Sequence, residues 1–219
     1  MNYNEWVFYY KKIVRDFHFD PDRDYLSSTM LSTIIGNNYI KKEIIQDIIE
    51  KREVVVVGDA PYPPFQKSIL NNRVIIAADD AAGFLMENGI VPHIVLTDLD
   101  AKKEIIYSAS DAGSIIGVHA HGDNMERLEM VRDLKNVFGT TQNKPLWNVY
   151  NFGGFTDGDR CVFLVHHFNA KKIILTRFDF YHPNERKGKN LEIKIKKLSW
   201  ANYLINVLKI KYGANILIL

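Results

Sequence analysis

The chain lacks the features that define several common classes of protein. It has a single cysteine, Cys161, in 219 residues, so it can form no internal disulfide and offers no cysteine cluster for zinc or iron–sulfur binding. No apolar run approaches the roughly 20 residues that a membrane span requires, and the N-terminus does not have the pattern of a signal peptide. We therefore expect a cytoplasmic protein with no membrane partner.

The chain also lacks a large excess of either charge. Its 28 lysines and arginines are nearly balanced by 26 aspartates and glutamates, which gives a formal net charge of +2. A general nucleic-acid-binding protein is typically strongly basic, so we expect no nucleic-acid partner. With 47% hydrophobic residues, the composition is that of a globular protein with a sizeable core.

Three glycine-based motifs are missing. The sequence contains no Gly-x-x-x-x-Gly-Lys-Ser/Thr, no Gly-x-Gly-x-x-Gly and no Gly-x-Ser-x-Gly. These absences argue against P-loop nucleotide hydrolases, dinucleotide-dependent oxidoreductases and serine hydrolases, respectively.

What the sequence does contain is an alternation of apolar strands and helices. Strands are predicted at 54–57, 74–78, 94–97, 115–119, 147–152 and 173–176, and helices between them at 81–88, 101–111, 124–136 and 158–169. Strands that are apolar on both faces and separated by helices are typical of a mostly parallel sheet. The predicted fold class is therefore α/β, with a Rossmann-like, mostly parallel sheet flanked by helices.

The alternation suggests three units. Residues 1–52, with helices at 3–17 and 40–51 and a break at 19–24, form a small helical N-terminal appendage. Residues 53–180 form the catalytic core, and residues 181–219 form a C-terminal extension packed on it. In the extension we predict a loop, an exposed strand at 191–196, a helix at about 198–212 and an apolar tail at 216–219. The strand and the tail could pair between subunits, which gives the expectation of a homodimer.

Acidic residues follow three of the predicted strands: Asp98 and Asp100, then Asp123, then Asp157 and Asp159. The carboxyl ends of the strands form the ligand crevice of an open α/β sheet. Carboxylates gathered there repel one another unless a cation lies between them, and Mg²⁺ is typically held by one or two carboxylates plus substrate phosphates. The pattern predicts metal-assisted chemistry on a phosphorylated ligand.

Three of these aspartates have an alternative role at a helix start. Asp98 and Asp100 are two residues apart and could share a metal if the chain is extended, but Asp100 could instead cap the next helix. Asp123 fits a capping box with Glu126, and so does Asp159 with Thr156.

Two loops carry further candidate ligand-binding groups. Gly153 and Gly154 would let the backbone approach a phosphate, next to the positive end of a helix that carries Arg160. His119 and His121 are separated by one residue, without a third zinc ligand nearby, and we expect them to donate hydrogen bonds to phosphate or substrate.

Four stretches, 77–79, 92–100, 118–124 and 151–160, resemble in this order the archaeal 6-hydroxymethyl-7,8-dihydropterin pyrophosphokinase family, which is itself similar to thiamine pyrophosphokinase. The triplets 178–180 and 196–198 look like later landmarks of the family, and the resemblance covers most of residues 54–200. It implies an ATP-dependent diphosphotransferase. The implied reaction is Mg²⁺-dependent transfer of diphosphate from ATP to the hydroxymethyl group of a reduced pterin, with release of AMP, in methanopterin or folate biosynthesis.

The resemblance also implies roles for individual residues. The catalytic residues are Asp98, Asp100, Asp123 and Asp157. The metal ligands are Asp79, Asp98, Asp100 and Asp159. The residues that bind ATP or substrate are Asp79, His119, His121, Asn124, Gly153, Gly154, Thr156 and Arg160. The basic segment 186–189, with Lys194, Lys196 and Lys197, either covers the ATP phosphates or forms a solvated face.

The chain departs from the family in a few places, and alternatives follow. The turn at 58–64, Asp80 after Asp79, and the pair Arg177-Phe178 differ from the family's usual residues. Because these positions line a phosphate turn and a substrate wall, they bear on the choice of acceptor. The alternatives are a thiamine pyrophosphokinase, a non-catalytic nucleotide-binding or glycan-assembly protein, and a nucleotide-sugar transferase that uses an Asp-x-Asp motif.

Overall fold

A computed structural model describes residues 1–61, 65–182 and 190–219. The α-helices are α1 Tyr3–Phe17, α2 Pro21–Ile35, α3 Lys42–Ile49, α4 Ala81–Glu87, α5 Lys103–Asp111, α6 Asp157–His167 and α7 Leu191–Lys211. The strands are β1 Glu53–Val57, β2 Val74–Ala78, β3 Ile94–Thr97, β4 Ile115–Ala120, β5 Val137–Thr141, β6 Val149–Tyr150, β7 Lys172–Thr176 and β8 Ile216–Ile218. Two 3₁₀ helices cover Lys67–Leu70 and Met125–Asp133.

The eight strands form one sheet in the order β6-β5-β4-β3-β2-β1-β7-β8, and every pair of neighbours is parallel. Strands β2 and β4 are buried along their whole length, as expected when helices cover both faces of a parallel sheet. The predicted α/β class is confirmed. Within the described residues, we find no helix whose length and apolarity would let it cross a membrane.

Helices cover both faces of the sheet. On one face α1, α3, α6 and α7 pack in a single apolar cluster that includes Trp6 and Phe163. On the other face α2, α4 and α5 pack in a second cluster that includes Leu31 and Ile106. The helices of the N-terminal segment are therefore divided between the two layers.

Helix α2 occupies the segment that the sequence analysis treated in part as a break. Asp20 is its N-cap, with a side chain that accepts from the Asp22 N–H at 2.9 Å, and Pro21 is the first helical residue. An Asp-Pro pair of this kind is a common start of a helix. The break at 19–24 is thus short, and the helix was missed.

The exposed strand predicted at 191–196 is wrong, because these residues form the first turns of α7. The side chain of Asn190 caps the helix by accepting from the N–H groups of Glu192 and Ile193. The tail is not free either, since β8 pairs with β7 in the same chain. The two segments behind the expectation of a homodimer are therefore used within the chain. The loop before α7 lies largely outside the described residues.

Strand β5 was also missed, and the strand predicted at 147–152 is shorter than expected, since β6 covers only Val149–Tyr150. The Val-Phe-Gly-Thr-Thr run of β5 is fully buried beside β4, and its β-branched residues are typical of strands. The predicted helix at 124–136 is a shorter 3₁₀ helix, Met125–Asp133.

The strand order fixes the place of a ligand crevice. From β1 the chain proceeds strand by strand to β6 at one edge, and α6 then returns it to β7 on the other side of β1. The direction in which successive strands are added to the sheet thus reverses between β1 and β7. Ligands of open α/β sheets bind at such a point, beyond the carboxyl ends of the strands.

Candidate active site

A cleft of about 500 Å³ lies at this edge of the sheet. Its floor is formed by the segments that follow β1, β2, β3, β4 and β7 and by the N-terminus of α6. One wall comes from α7, which contributes Ile193, Lys194, Lys197, Leu198 and Ala201. These five positions have helical spacing, and this is the signal in the sequence that could have identified 191–196 as helix.

Three carboxylates meet at the centre of the cleft. Asp79 follows β2, Asp98 follows β3 and Asp157 begins α6, and each offers an oxygen within 4.8 Å of the other two. We call these three residues the carboxylate triad. They are far apart in the sequence and converge because the parallel strands end at one edge.

Each member of the triad is held by a neighbour. Thr97 Oγ1 donates to Asp79 Oδ1 at 2.6 Å, and Arg160 Nη1 donates to Asp157 Oδ1 at 2.8 Å. Asp98 Oδ2 lies 3.5 Å from Nε2 of His121. Because His121 Nδ1 accepts from a backbone N–H at 3.3 Å, its ring proton lies on Nε2 and faces Asp98.

Crowding and burial shift the pKa values of the triad. Burial, and then the charge of Asp98, raise the pKa of Asp79 to about 7 and that of Asp157 well above its usual value. Burial alone would raise the pKa of Asp98, but the hydrogen bond from His121, together with the charge of Arg160, outweighs it and lowers that pKa to about 2. A group of acids in this state is stabilised by a cation placed between them.

The raised pKa of Asp79 predicts how stability depends on pH. Between pH 4 and 7 the folded chain keeps a proton on Asp79 that the unfolded chain has lost, so the free energy of unfolding of the metal-free protein should fall as the pH rises. For a pKa of about 7 when folded and about 3.9 when unfolded, the fall is at most about 4 kcal/mol.

Urea denaturation at pH 5 and pH 7.5 would measure this fall, with Asp79→Asn as the control for all other titrating groups. The variant should show a smaller decrease, because only Asp157, whose pKa is also raised, still contributes to it. Equal pH dependence in the two proteins would contradict the assignment. A divalent cation that bound the ionised carboxylates would stabilise the wild-type protein more at pH 7.5 than at pH 5.

Two buried polar atoms of cleft-lining residues have no hydrogen-bond partner among the described residues: His119 Nε2 and Arg160 Nε. His119 Nδ1 lies 3.1 Å from Thr140 Oγ1, and the Thr140 hydroxyl donates to the carbonyl of Val118 at 3.3 Å. His119 Nδ1 is then the donor of its pair, which leaves Nε2 as an acceptor. Burial lowers the pKa of His119 well below its usual value, so the ring is neutral.

The loop before α6 supports Asp157 through close backbone contacts. Gly154 has φ +88°, and a Cβ there would lie 2.4 Å from Cα of Arg160. Arg160 is buried, and its Nη2 donates to the carbonyl of Phe155 at 2.8 Å. The glycine is therefore required by the packing of the loop on α6.

Comparison with known proteins gives the chain a family. A model of the family described as 6-hydroxymethylpterin diphosphokinase MptE-like matches residues 31–185. The chain belongs to this family. The match begins in α2 and contains the whole carboxylate triad.

Three full-length relatives of the family carry the name 6-hydroxymethyl-7,8-dihydropterin pyrophosphokinase. The chain is 44% identical to that of Methanocaldococcus jannaschii, over 96% of this chain and 97% of the relative. It is 38% identical to that of Pyrococcus furiosus, over 95% of each. It is 35% identical to that of Methanothermobacter thermautotrophicus, over 95% and 96%. The resemblance seen in the sequence is confirmed, and so is the expectation of an enzyme of the pyrophosphokinase type.

Three other predicted acids of this family member lie outside the triad. Arg127 forms an ion pair with Asp100. Asp123 is exposed at the rim of the cleft. Asp159 is fully buried, and its carboxylate accepts from the N–H groups of Phe155 and Thr156 at 2.7 Å, which completes the capping box with Thr156.

Asn124, which we predicted as a ligand-binding residue, is fully buried and ties two strand ends together. Its Nδ2 donates to the carbonyls of Asp98 and His119 at 2.9 and 2.6 Å. Gly153 has φ +89° and packs against the ring of Phe163.

The aromatic lining of the site was not predicted from the sequence. Phe19, Phe155, Phe178 and Phe180 all line the cleft. Arg177 also lines it and lies 3.8 Å above the ring of Phe84. Gly58 packs closely against the end of β7. A Cβ on Gly58 would lie 2.4 Å from the carbonyl oxygen of Arg177. Part of the 58–64 turn, from residue 62, lies outside the described residues.

Proposed function

We propose that the protein catalyses Mg²⁺-dependent transfer of diphosphate from ATP to the hydroxymethyl group of 6-hydroxymethyl-7,8-dihydropterin, giving the pterin diphosphate and AMP. The observation that carries the proposal is the carboxylate triad in the crevice of a chain whose relatives are named 6-hydroxymethyl-7,8-dihydropterin pyrophosphokinase.

The donor set of the triad fits Mg²⁺. The ion prefers hard oxygen ligands at 2.0–2.1 Å in an octahedron, which places ligand oxygens about 3 to 4 Å apart. The three carboxylate oxygens lie within 4.8 Å of one another, on groups whose repulsion a cation would relieve. Asp79, Asp98 and Asp157 are therefore the residues that would hold the metal, with Asp100, Asp123 or Asp159 as further predicted participants.

The reaction needs positioning rather than a covalent intermediate. The pterin hydroxyl oxygen attacks the β-phosphorus of ATP, the bond from that phosphorus to the α–β bridging oxygen breaks, and AMP leaves. Mg²⁺, when bound, would offset the negative charge on the phosphate oxygens. Arg160 forms an ion pair with Asp157 of the triad. Its cationic group would there offset the same negative charge on the phosphate oxygens.

Nε2 of His119 is a hydrogen-bond acceptor, so it would accept a hydrogen bond from a donor in the cleft, such as the hydroxyl of the acceptor substrate, an amine or a water molecule. It does not suit a phosphate oxygen, because both would be acceptors. The aromatic side chains of the cleft offer flat faces for the two heterocycles, adenine and pterin.

Of the three lysines predicted near the phosphates, Lys197 and Lys196 contact different parts of the structure. Lys197 lines the cleft, and the contact shown for its ammonium group is with the ring of Phe155, at 5.9 Å to the centroid. Lys196 points to α1, where it contacts the ring of Phe17 and the carbonyl of Asp16. Lys194 lines the cleft as well, and residues 186–189 lie outside the described residues.

We therefore expect Lys197→Ala to raise the KM for ATP about tenfold through loss of a phosphate contact, equivalent to about 1.4 kcal/mol. Lys196→Ala is the matched control and should change that KM less than about twofold. Steady-state kinetics with varied ATP would measure both. Equal effects of the two substitutions would show that α7 only presents a solvated basic face.

The function itself is tested by incubating the pure protein with ATP, Mg²⁺ and the reduced hydroxymethylpterin, and separating the nucleotides. We expect AMP and pterin diphosphate in equal amounts. AMP formed with thiamine but not with the pterin would indicate a thiamine pyrophosphokinase. Nucleotide binding without AMP from either acceptor would indicate a non-catalytic protein.

A further inference from the structure

Helix α2 holds the loop that carries His121. Gly122 follows His121 in this loop, and its N–H donates to Asp24 Oδ1 at 2.8 Å. Its carbonyl accepts from Arg23 Nη2 at 2.9 Å. Both backbone hydrogen-bonding groups of Gly122 are thus bound by side chains from the start of α2.

Asp24 is itself fixed in place. Asp24 is only 3% exposed. Its second oxygen, Oδ2, accepts hydrogen bonds from Tyr10 Oη at 2.8 Å and from Gln142 Nε2 at 2.7 Å. A buried carboxylate with three donors has a well-defined position, because leaving any of these groups unpaired is costly. Asp24 therefore links α1, α2, the segment after β5 and the cleft loop.

The backbone packing agrees with the hydrogen bonds. A Cβ on Gly122 would lie 2.9 Å from Cβ of Arg23, so the loop is in contact with the helix itself. One turn further along α2, Ser27 Oγ donates at 3.3 Å to Oδ1 of Asn124, the residue whose side-chain amide donates to the carbonyl of Asp98. The contacts of α2 therefore extend to the end of β3, which carries Asp98.

We propose that Arg23 and Asp24 are positioning residues: they hold Gly122 on α2 and thereby keep His121 facing Asp98. The inference rests on the proposed function of the cleft. It adds two residues that do not contact the triad and that lie outside the match to the family model, which begins at residue 31. Reacting groups that are displaced by about 1 Å can lose about 100-fold in rate.

The test compares three variants of the full-length protein. Asp24→Ala removes the acceptor for the Gly122 N–H, and we expect kcat to fall 30- to 100-fold while the KM for ATP changes less than about threefold. Asp24→Asn keeps an oxygen for that N–H and should recover to within about fivefold of the wild type. The matched control is Asp22→Asn, an exposed acid on the same turn whose side chain forms no hydrogen bond or ion pair with the loop among the described residues, and it should behave as wild type.

The second readout is amide hydrogen exchange of residues 119–125, measured by mass spectrometry without substrates. Exchange should be faster in Asp24→Ala and unchanged in Asp22→Asn. A folded Asp24→Ala with wild-type kcat, or with wild-type exchange in this segment, would overturn the proposal. If Asp24→Ala does not fold, Arg23→Ala decides, because the residue is exposed: we expect a five- to tenfold lower kcat with faster exchange, and wild-type values would refute the proposal.

These outcomes are separable from failure of the proposed function. If the wild-type protein forms no AMP from ATP and the pterin, the proposed function is wrong. The exchange measurement needs no substrate, so it still shows whether Arg23 and Asp24 fix the loop.

Discussion

Replacing Asp98 by asparagine is expected to lower kcat about 10³-fold. Asp98 lies in the triad, and its pKa is held low, so it is the member that is ionised over the widest pH range. Asparagine has nearly the same shape and can still accept from Nε2 of His121. Loss of activity would therefore report the loss of one negative charge from the metal site rather than a collapsed loop.

The same substitution should leave the metal-free protein equally stable or more stable at pH 8, because the charge of Asp98 opposes ionisation of Asp79 and Asp157. Thermal unfolding with and without Mg²⁺ would show this, and the stabilisation by Mg²⁺ should shrink. Asp133→Asn, on an exposed helix end, is the control for removal of one charge. An Asp98→Asn enzyme within tenfold of the wild-type kcat would refute the metal assignment.

Asp100→Asn should have a much smaller effect, of about tenfold or less, because Arg127 forms an ion pair with this carboxylate at the side of the triad. Their spacing in the sequence predicted that Asp98 and Asp100 lie on one side of an extended chain. Leu99 lies between them with φ +67°, so the chain turns there and the two-residue alternation of a strand does not apply.

Replacing Gly154 by alanine is the second change with a large expected effect. Its φ of +88° alone costs a non-glycine residue about 1–2 kcal/mol. The new Cβ would in addition lie 2.4 Å from Cα of Arg160, an atom of the α6 backbone that cannot move alone. With about 1–3 kcal/mol for the overpacking, the free energy of unfolding should fall by about 2–5 kcal/mol.

The chain supplies a matched control for the backbone part of this cost. Gly113 has φ +99°, and a Cβ there would meet no atom within 4 Å. Gly113→Ala should therefore cost only about 1–2 kcal/mol and leave activity unchanged. Urea denaturation of both variants isolates the steric part. Equal losses of stability would show that the loop on α6 can relax, and that Gly154 is present only for its dihedral angles.

The convergence of the triad could be predicted from the sequence because it depends on one rule of topology. Asp79, Asp98 and Asp157 each follow or approach the end of a parallel strand, and parallel strands end at a common edge. Apolar strands at regular spacing were enough to find six of the eight strands. The relation between local pattern and fold was direct in these elements.

Prediction from the sequence failed where contacts between residues distant in the sequence decide the local structure. The alternation at 191–196 fits a strand, but Ile193 and Lys194 line the cleft at helical spacing with Lys197, and Asn190 caps the segment as helix. Arg23 and Asp24 lie outside any recognised motif, and their importance depends on a loop about 100 residues away that contacts α2 only after folding. No local pattern carries such information.

The order of the strands has a consequence for how the chain reaches this state. β1 pairs with β2 soon after both exist, but its other neighbour, β7, starts at Lys172, which pairs with Glu53. More than half of the polypeptide must leave the ribosome before that side of β1 is covered, and long loop closures of this kind slow folding. The crevice is therefore assembled late, and the exposed edge of β1 is the surface that a nascent chain has to protect from aggregation.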